Sequence, residues 1–190
     1  DTNSWYHIVC AIDTTQASQS DRGKIYVNGV QQTLQSNNLT QNIETSVNNN
    51  SVQTFGTRWI GSYNGGFDGY LAEVNLIDGL QLDPTYFGYT EFQTGIWRPK
   101  GYFGSYGTNG VRLDFSDNSA TTAITLGKDR SGQGNDYTPI NLSVSAGAGN
   151  DSFPESPTAK KEFATLNSNL QTSSSTEYRQ GNTAFYTSGS

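Results

Sequence analysis

The feature that most constrains the fold is a pair of apolar runs near the start of the chain. The first run, SWYHIVCAIDTT, spans residues 4–15, and the second, KIYVNG, spans residues 24–29. Both faces of the first run are largely apolar, which predicts a strand in the centre of a sheet. Asn28-Gly29 predicts a tight turn after the second strand, because both residues tolerate positive φ angles.

Two residues with reactive side chains lie in the first run, and both are expected to be structural. Cys10 is the only cysteine, so the chain forms no internal disulfide, and its apolar neighbours predict a buried, inert thiol. His7 is the only histidine, and a lone histidine on an apolar strand is typical of a satisfied core group. The runs begin in mid-sheet and the chain contains no methionine, so we expect a piece of a longer protein.

Further alternating segments extend the β pattern along the chain. Asp83-Pro84 predicts a short helical turn, and residues 31–54, rich in Gln, Asn, Ser and Thr, predict a weakly packed excursion. No segment keeps the 3.6-residue period of a helix. The pattern predicts an all-β, two-sheet antiparallel sandwich with an extended C-terminal segment. Strands are predicted at residues 55–62, 67–78, 111–115 and 140–144, with a glycine-rich turn at residues 63–66.

Composition limits the partners and the domain organisation. Hydrophobic residues make up 33% of the chain and charged residues 15%, and the net charge is −6. An acidic chain lacks the basic surface that nucleic acid demands, and no apolar run is long enough for membrane insertion. The loss of apolar residues near residue 145 predicts a sandwich domain over residues 1–147. Residues 148–190 are then a linker or the start of a following module.

Three motifs follow one another in the first half of the chain. They are WYHIVCAIDTT, KIYVNG and WIGSYNGGFDGYLAEVNLIDG, and with the short turn that follows they cover about residues 4–90. This order resembles the laminin G-like and concanavalin A-like jelly-roll superfamily. The resemblance implies a jelly roll whose earliest strands are missing or supplied by a later segment such as residues 113–117.

A series of shorter motifs continues through the second half of the chain. Their order resembles tail-fibre and other virion proteins of bacteriophages. They are Phe87-Gly88, Thr94-Gly95, residues 97–100, residues 113–115, residues 126–136, residues 156–158 and residues 163–167.

This second resemblance implies a non-enzymatic structural or adhesion protein on the surface of an extracellular virion, in a tail fibre, spike or capsid fibre. The implied partners are other virion proteins, further copies of the chain with a trimer favoured, and a host-surface glycan. The alternative is a bacterial secreted adhesin or carbohydrate-binding module. A polysaccharide depolymerase is a third hypothesis.

We predict no catalytic residues in this chain. A glucanase of this fold needs a carboxylate pair on one strand face, in an E-x-D-x-x-E pattern, to supply a nucleophile and a proton donor. The nearest candidates, Glu73 and Asp78, are five residues apart and therefore point to opposite faces of a strand. No G-x-S-x-G nucleophile motif is present either.

Calcium is the one metal that the first resemblance implies, and no other cofactor is required. Oxygen ligands suit Ca²⁺, and the candidates by position are Asp13, Asp68 and Asp78. A separate candidate is the turn with Asp129, Asn135 and Asp136. The alternative is that these acids cap turns.

Carbohydrate binding is the function for which side chains can be named. Sugar sites combine aromatic rings with Asp, Asn and Gly at loop ends. The alternative is that the rings are core or subunit-interface residues. One candidate set is Tyr63, Asn64 and Phe67, and the other is Trp97, Tyr102 and Tyr106.

Overall fold

The computed structural model describes residues 4–49, 51–67, 69–145, 151–152, 177–180 and 183–186. Its regular elements are short and almost entirely β. In chain order they are β1 (Ile8–Ile12), α1 (Gln19–Arg22), β2 (Gly23–Val27), β3 (Val30–Gln31), β4 (Thr57–Trp59), β5 (Tyr63–Gly66), β6 (Val74–Leu76), a 3-10 helix (Pro84–Tyr86), β7 (Gly88–Thr90), β8 (Trp97–Pro99), β9 (Val111–Leu113), β10 (Glu177–Gln180) and β11 (Thr183–Tyr186).

All strand pairs in the described residues are antiparallel. They form one three-stranded sheet, β1-β2-β3, and four two-stranded sheets, β4-β5, β6-β9, β7-β8 and β10-β11. The all-β prediction is confirmed, and the arrangement is consistent with a sandwich. No described helix is long and apolar enough to cross a membrane.

The first sheet forms around the two apolar runs. β1 pairs with β2 from Ile8 opposite Val27 to Ile12 opposite Gly23. The predicted turn is confirmed, because Asn28 and Gly29 have φ angles of 49° and 80° and bring Val30 opposite Val27. Two residues of positive φ match the right-handed twist of the strands that they join.

The prediction that β1 is central and buried on both faces is wrong. β1 is an outer strand of its three-stranded sheet, with Val9 and Ala11 buried but the alternate side chains exposed. Cys10 lies on the exposed face, so the prediction of a buried thiol is also wrong. Alternation of apolar residues fixed which side chains share a face, but it does not say what covers that face.

The predicted strand over residues 67–78 is shorter than expected. Among the described residues of this range, only Val74–Leu76 pairs, with β9, because Glu73 has a φ angle of 50° and breaks the extended backbone just before β6. Residues 63–66, predicted as a turn, instead form β5 opposite β4. The glycines there allow extended backbone as readily as a turn.

Of two further predicted strands, one forms in part and the other does not form. Val111–Leu113 is the strand β9, but Phe115 lies beyond it with a φ angle of 53°. Residues 140–144 form no strand, and Asn141 in their middle has a φ angle of 55°. The helical turn is confirmed, since the Asp83 carboxylate accepts a hydrogen bond from the backbone N–H of Thr85 at 2.8 Å.

The core of the described residues is small and lies mainly around β9. Val111 and Leu113 alternate inward from β9, and Leu126 joins them from the following loop. Tyr102 and Tyr106 enter from the Gly-Tyr segment of residues 101–110. The core therefore joins residues that are distant in sequence. It also determines which candidate side chains are buried and which are exposed.

Candidate functional site

Trp97 is a structural anchor between two sheets. Its Nε1 donates a hydrogen bond to His7 Nδ1 at 3.1 Å, and the two rings lie 5.8 Å apart between centroids. A Cβ added at Gly29 or at Gly88 would overlap the Trp97 ring, so both backbones press against it. This geometry confirms that His7 is a satisfied structural group, and it gives Trp97 a packing role.

Tyr102 and Tyr106 are core residues. Both are buried and meet edge to face, with ring centroids 5.2 Å apart. Tyr106 donates to Asn75 Oδ1 at 2.8 Å, and desolvation by burial raises the pKa of Tyr106 to about 12. Tyr102 donates to the backbone carbonyl of Ser105 at 3.0 Å. Burial leaves neither ring a face open to a sugar, so the structure favours the core alternative for both.

Three aromatic side chains of the first part of the chain are exposed, namely Trp5, Phe67 and Tyr70, and a ring contact joins Trp5 to Tyr70. Phe67 is 58% exposed and Tyr70, three residues later, is 65% exposed. The ring of Trp5, half exposed, lies 6.4 Å from that of Tyr70 at an interplanar angle of 42°. We call Trp5, Phe67 and Tyr70 the aromatic edge. The rings of Trp5 and Tyr70 combine an apolar face with a polar atom, and such rings are suited to sugar faces.

Two of the three residues of the aromatic edge, Trp5 and Tyr70, are not among the ligand-binding residues predicted from the sequence. The first apolar run, which includes Trp5, predicts a strand, whereas β1 begins at Ile8. Tyr70 belongs to the strand predicted over residues 67–78, but it lies outside β6. The available signal was Gly69 beside Phe67 and Tyr70, because an Asp-Gly step favours a turn that exposes neighbouring rings. Tyr63 and Asn64 lie in β5, and their side chains are outside the described residues.

Glu73 is occupied by an ion pair. Its Oε1 accepts a hydrogen bond from Nε of Arg112 at 2.7 Å, and both side chains are mostly buried. The hydrogen bond to Glu73 is the main cause that raises the pKa of Arg112. The pair joins the residue before β6 to β9, so it reinforces the pairing of these two strands.

Asp78, which lies just after β6, accepts hydrogen bonds from two distant segments. Its Oδ2 accepts hydrogen bonds from the backbone and side-chain nitrogens of Asn109, both at 3.1 Å, and its Oδ1 accepts one from Asn48 Nδ2. Its backbone N–H donates to the Tyr106 carbonyl at 2.8 Å. Asp78 therefore ties the loop of residues 31–54 and the Gly-Tyr segment to β6.

Asp13 caps a turn after β1. Its carboxylate accepts from the Thr15 backbone and hydroxyl at 2.9 and 2.7 Å and from Gln16 Nε2 at 2.6 Å. The pKa of Asp13 is lowered by these hydrogen bonds, of which the one from the Thr15 side chain contributes most. Asp68 is outside the described residues. Within the described part of the chain, no three His, Cys, Asp or Glu side chains are grouped to hold a metal. The calcium site therefore stays a prediction.

The turn of residues 129–136 is built around a buried carboxylate. Asp129 accepts hydrogen bonds from the backbone N–H groups of Arg112, Ser131 and Asn135 at 2.9, 2.8 and 3.0 Å, and from the Ser131 hydroxyl at 2.7 Å. Asp136 in turn accepts from the Asp129 N–H at 2.9 Å. Desolvation by itself would raise the pKa of Asp129, but these hydrogen bonds outweigh it and lower the pKa. The predicted capping role of this turn is confirmed.

A known protein family matches the first part of the chain. Residues 1–81 match the model described as the Concanavalin A-like lectin/glucanases superfamily. Residues 1–81 carry a concanavalin A-like domain. Searches of curated proteins and of solved structures gave no match. The first of the two resemblances is thus confirmed over residues 1–81, and the resemblance to virion proteins stays a prediction.

The concanavalin A-like domain contains β1 to β6 and the whole aromatic edge. Glu73, Asp13 and Asp78 also lie within it. Trp97, Tyr102 and Tyr106 lie beyond residue 81, where they pack against the domain and in the core around β9. Among the named candidates whose side chains the structure describes, Phe67 is the one that combines an exposed ring with a place in the concanavalin A-like domain.

Proposed function

We propose that the chain is a non-enzymatic recognition module that attaches to glycans through the aromatic edge. The observation that carries the proposal is the position of Trp5, Phe67 and Tyr70, exposed and within the residues that match a lectin and glucanase superfamily. Exposed aromatic rings provide large contact area at low conformational-entropy cost, which suits binding of a rigid polar ring.

Both candidate carboxylates are bound by other side chains, which supports a binding role rather than hydrolysis. Glu73 is held by Arg112, and Asp78 is held by Asn48 and Asn109. A glycosidase acid needs a raised pKa and a free path to the glycosidic oxygen. The Glu73 carboxylate is mostly buried and occupied by Arg112, so it has no free path to a glycosidic oxygen.

Within this proposal the module belongs to a bacteriophage virion, in a tail fibre, spike or capsid fibre at the particle surface. The motif order from Phe87 to residues 163–167 supports this part. Its partners are other virion proteins, further copies of the chain and a host-surface glycan. A secreted bacterial adhesin or carbohydrate-binding module would use the same aromatic edge.

Glycan-array binding of the full chain and two matched variants tests the proposal. Tyr70→Ala removes a ring of the aromatic edge, whereas Phe103→Ala removes an almost fully exposed ring outside the concanavalin A-like domain. We expect Tyr70→Ala to weaken binding by about tenfold or more, as for loss of a contact ring, and Phe103→Ala to bind like the wild type. Equal binding by all three proteins, or binding by none, would contradict the assignment.

A further inference from the structure

A cavity lies between the inner face of the first sheet and the segment of residues 81–86. The inner face is the one on which Val9 and Ala11 are buried. Residues directly opposite in antiparallel strands share a face, so Lys24 lies beside Ala11 and Tyr26 beside Val9. We call the space between the sheet and the segment the inner cavity. It has a volume of about 210 Å³, and its lining includes Ala11, Lys24, Tyr26, Gln81, Asp83 and Tyr86.

The lining of the inner cavity is held in place by hydrogen bonds within the chain. Gln81 Nε2 donates to the backbone carbonyl of Asp21 at 2.9 Å, which ties the segment to α1. Asp83 Oδ1 accepts from the backbone N–H and the hydroxyl of Thr85 at 2.8 and 2.6 Å. Lys24 Nζ forms an ion pair with Asp21 Oδ1 at 2.9 Å. Because these groups are already ordered, binding of a ligand would cost little conformational entropy.

Four polar groups of the lining have no hydrogen-bond partner among the described residues. They are Oδ2 of Asp83, the side-chain oxygen of Gln81 and the hydroxyls of Tyr26 and Tyr86. Carboxylate and amide oxygens only accept hydrogen bonds, whereas a tyrosine hydroxyl both donates and accepts. This combination suits a ligand with several hydroxyl groups, since each hydroxyl can also donate and accept.

Charge and size restrict the ligand further. The charge of Lys24 is offset by Asp21, so the Asp83 carboxylate is the uncompensated charge among the named lining groups, and it disfavours acidic ligands. The volume of about 210 Å³ lies below the range of about 300–1,000 Å³ for pockets that take drug-sized ligands. Two tyrosine rings supply apolar surface for the C–H groups of a ligand. A small, neutral, hydroxyl-rich ring meets all of these conditions.

We propose that the inner cavity binds one neutral monosaccharide. Asp83 Oδ2 accepts from a sugar hydroxyl, the hydroxyls of Tyr26 and Tyr86 bond to others, and the two rings contact its C–H groups. So few contacts correspond to a Kd on the order of millimolar. None of the residues that line the inner cavity belongs to the aromatic edge. The proposal therefore does not depend on glycan attachment through that edge.

Titration of the ¹⁵N-labelled full chain with the methyl glycosides of glucose, galactose and mannose tests the proposal by NMR. We expect at least one of these sugars to shift the backbone amides of Lys24, Tyr26 and residues 81–86 in a saturable manner. The corresponding uronic acid should bind at least about tenfold more weakly, because its carboxylate meets that of Asp83. A uronic acid that binds as tightly as the neutral sugar would contradict the assignment to a neutral ligand.

Two variants and a matched control locate the site. Tyr86→Ala removes a ring of the cavity that is 50% exposed, whereas Tyr89→Ala removes a ring of β7 that is 49% exposed and does not line the cavity. Asp83→Asn removes the charge but keeps an oxygen that can cap the 3-10 helix. We expect a Kd at least about tenfold weaker for Tyr86→Ala and Asp83→Asn, and wild-type affinity for Tyr89→Ala. Circular dichroism verifies that all three are folded.

Three results would overturn the proposal. The first is the absence of a saturable shift with any of the three sugars, and the second is equal affinity of Tyr86→Ala and Tyr89→Ala. The third is a set of shifts confined to the amides of Phe67 and Tyr70. That last result would support sugar binding at the aromatic edge while it excludes the inner cavity, so the two proposals fail separately.

Discussion

Asp129 shows how a single side chain connects segments that the sequence separates. Its carboxylate receives four hydrogen bonds, one from the β9 residue Arg112 and three from its own turn. The sequence predicted that acids of this turn cap nearby amides, because Asp and Asn next to Gly typically do so. It did not predict the bond to Arg112, because a contact 17 residues away leaves no local pattern.

Replacement of Asp129 is expected to destabilise the fold strongly. Asp129→Ala leaves buried donors without a partner, so the free energy of unfolding should fall by about 2–4 kcal/mol. The matched control is Asp117→Ala, which removes an exposed acid that accepts from Ser119 in a similar turn and should lower the free energy of unfolding much less than Asp129→Ala. Urea denaturation measures both, and equal losses would contradict the role given to Asp129.

His7 is expected to make stability depend on pH. Desolvation lowers the pKa of His7 in the folded state below its usual value of 6.5. The folded chain then binds fewer protons than the unfolded chain. The contribution of His7 is fully present above the unfolded pKa, declines below it, and is lost as the pH falls through the folded pKa. Protonation would also remove the acceptor for Trp97 Nε1.

Chemical denaturation between about pH 7.5 and pH 5.5 measures this effect, since carboxylates titrate mainly at lower pH. The wild type should lose stability across this window. His7→Gln keeps an acceptor for Trp97 but does not titrate, so its curve should be flatter. Parallel curves for the two proteins would show that His7 is not the responsible group.

At the scale of elements, the Trp97 ring connects the first sheet to the β7-β8 hairpin. The ring lies against Gly29 in the β2-β3 turn and against Gly88 in β7, and it bonds His7 beside β1. Gly88→Ala should therefore cost about 1–3 kcal/mol through overpacking. Gly66→Ala in β5 is the control, because a Cβ there meets nothing within 4 Å. A Gly88→Ala protein as stable as the control would contradict the packing described.

The elements also show how far the sequence determines the fold. β1, β2 and the Asn28-Gly29 turn follow from alternation and turn chemistry, and the structure has them where they were predicted. The predicted strand at residues 67–78 is shortened to β6 because Glu73 adopts positive φ and binds Arg112 on β9, a neighbouring strand that is distant in sequence. Alternation reports which side chains share a face, but only tertiary contacts decide where pairing stops.

At the scale of the whole molecule, burial separates structural rings from candidate binding rings. The sequence proposed six ligand-binding residues, and the structure buries Tyr102 and Tyr106, packs Trp97 against two glycines and exposes Phe67. Aromatic residues fill cores and binding surfaces alike, so composition alone could not separate these roles. The aromatic edge becomes visible only when the exposure of the side chains is known.

We propose that the concanavalin A-like domain recognises glycans without cleaving them. Incubation of the full chain with the glycans that it binds on the array, followed by mass spectrometry of those glycans, tests both parts of this proposal. We expect binding that depends on Tyr70, with every glycan recovered intact. Shortened glycans with new reducing ends, absent when Glu73→Gln is used, would contradict it, because Glu73 would then be a catalytic acid rather than the partner of Arg112.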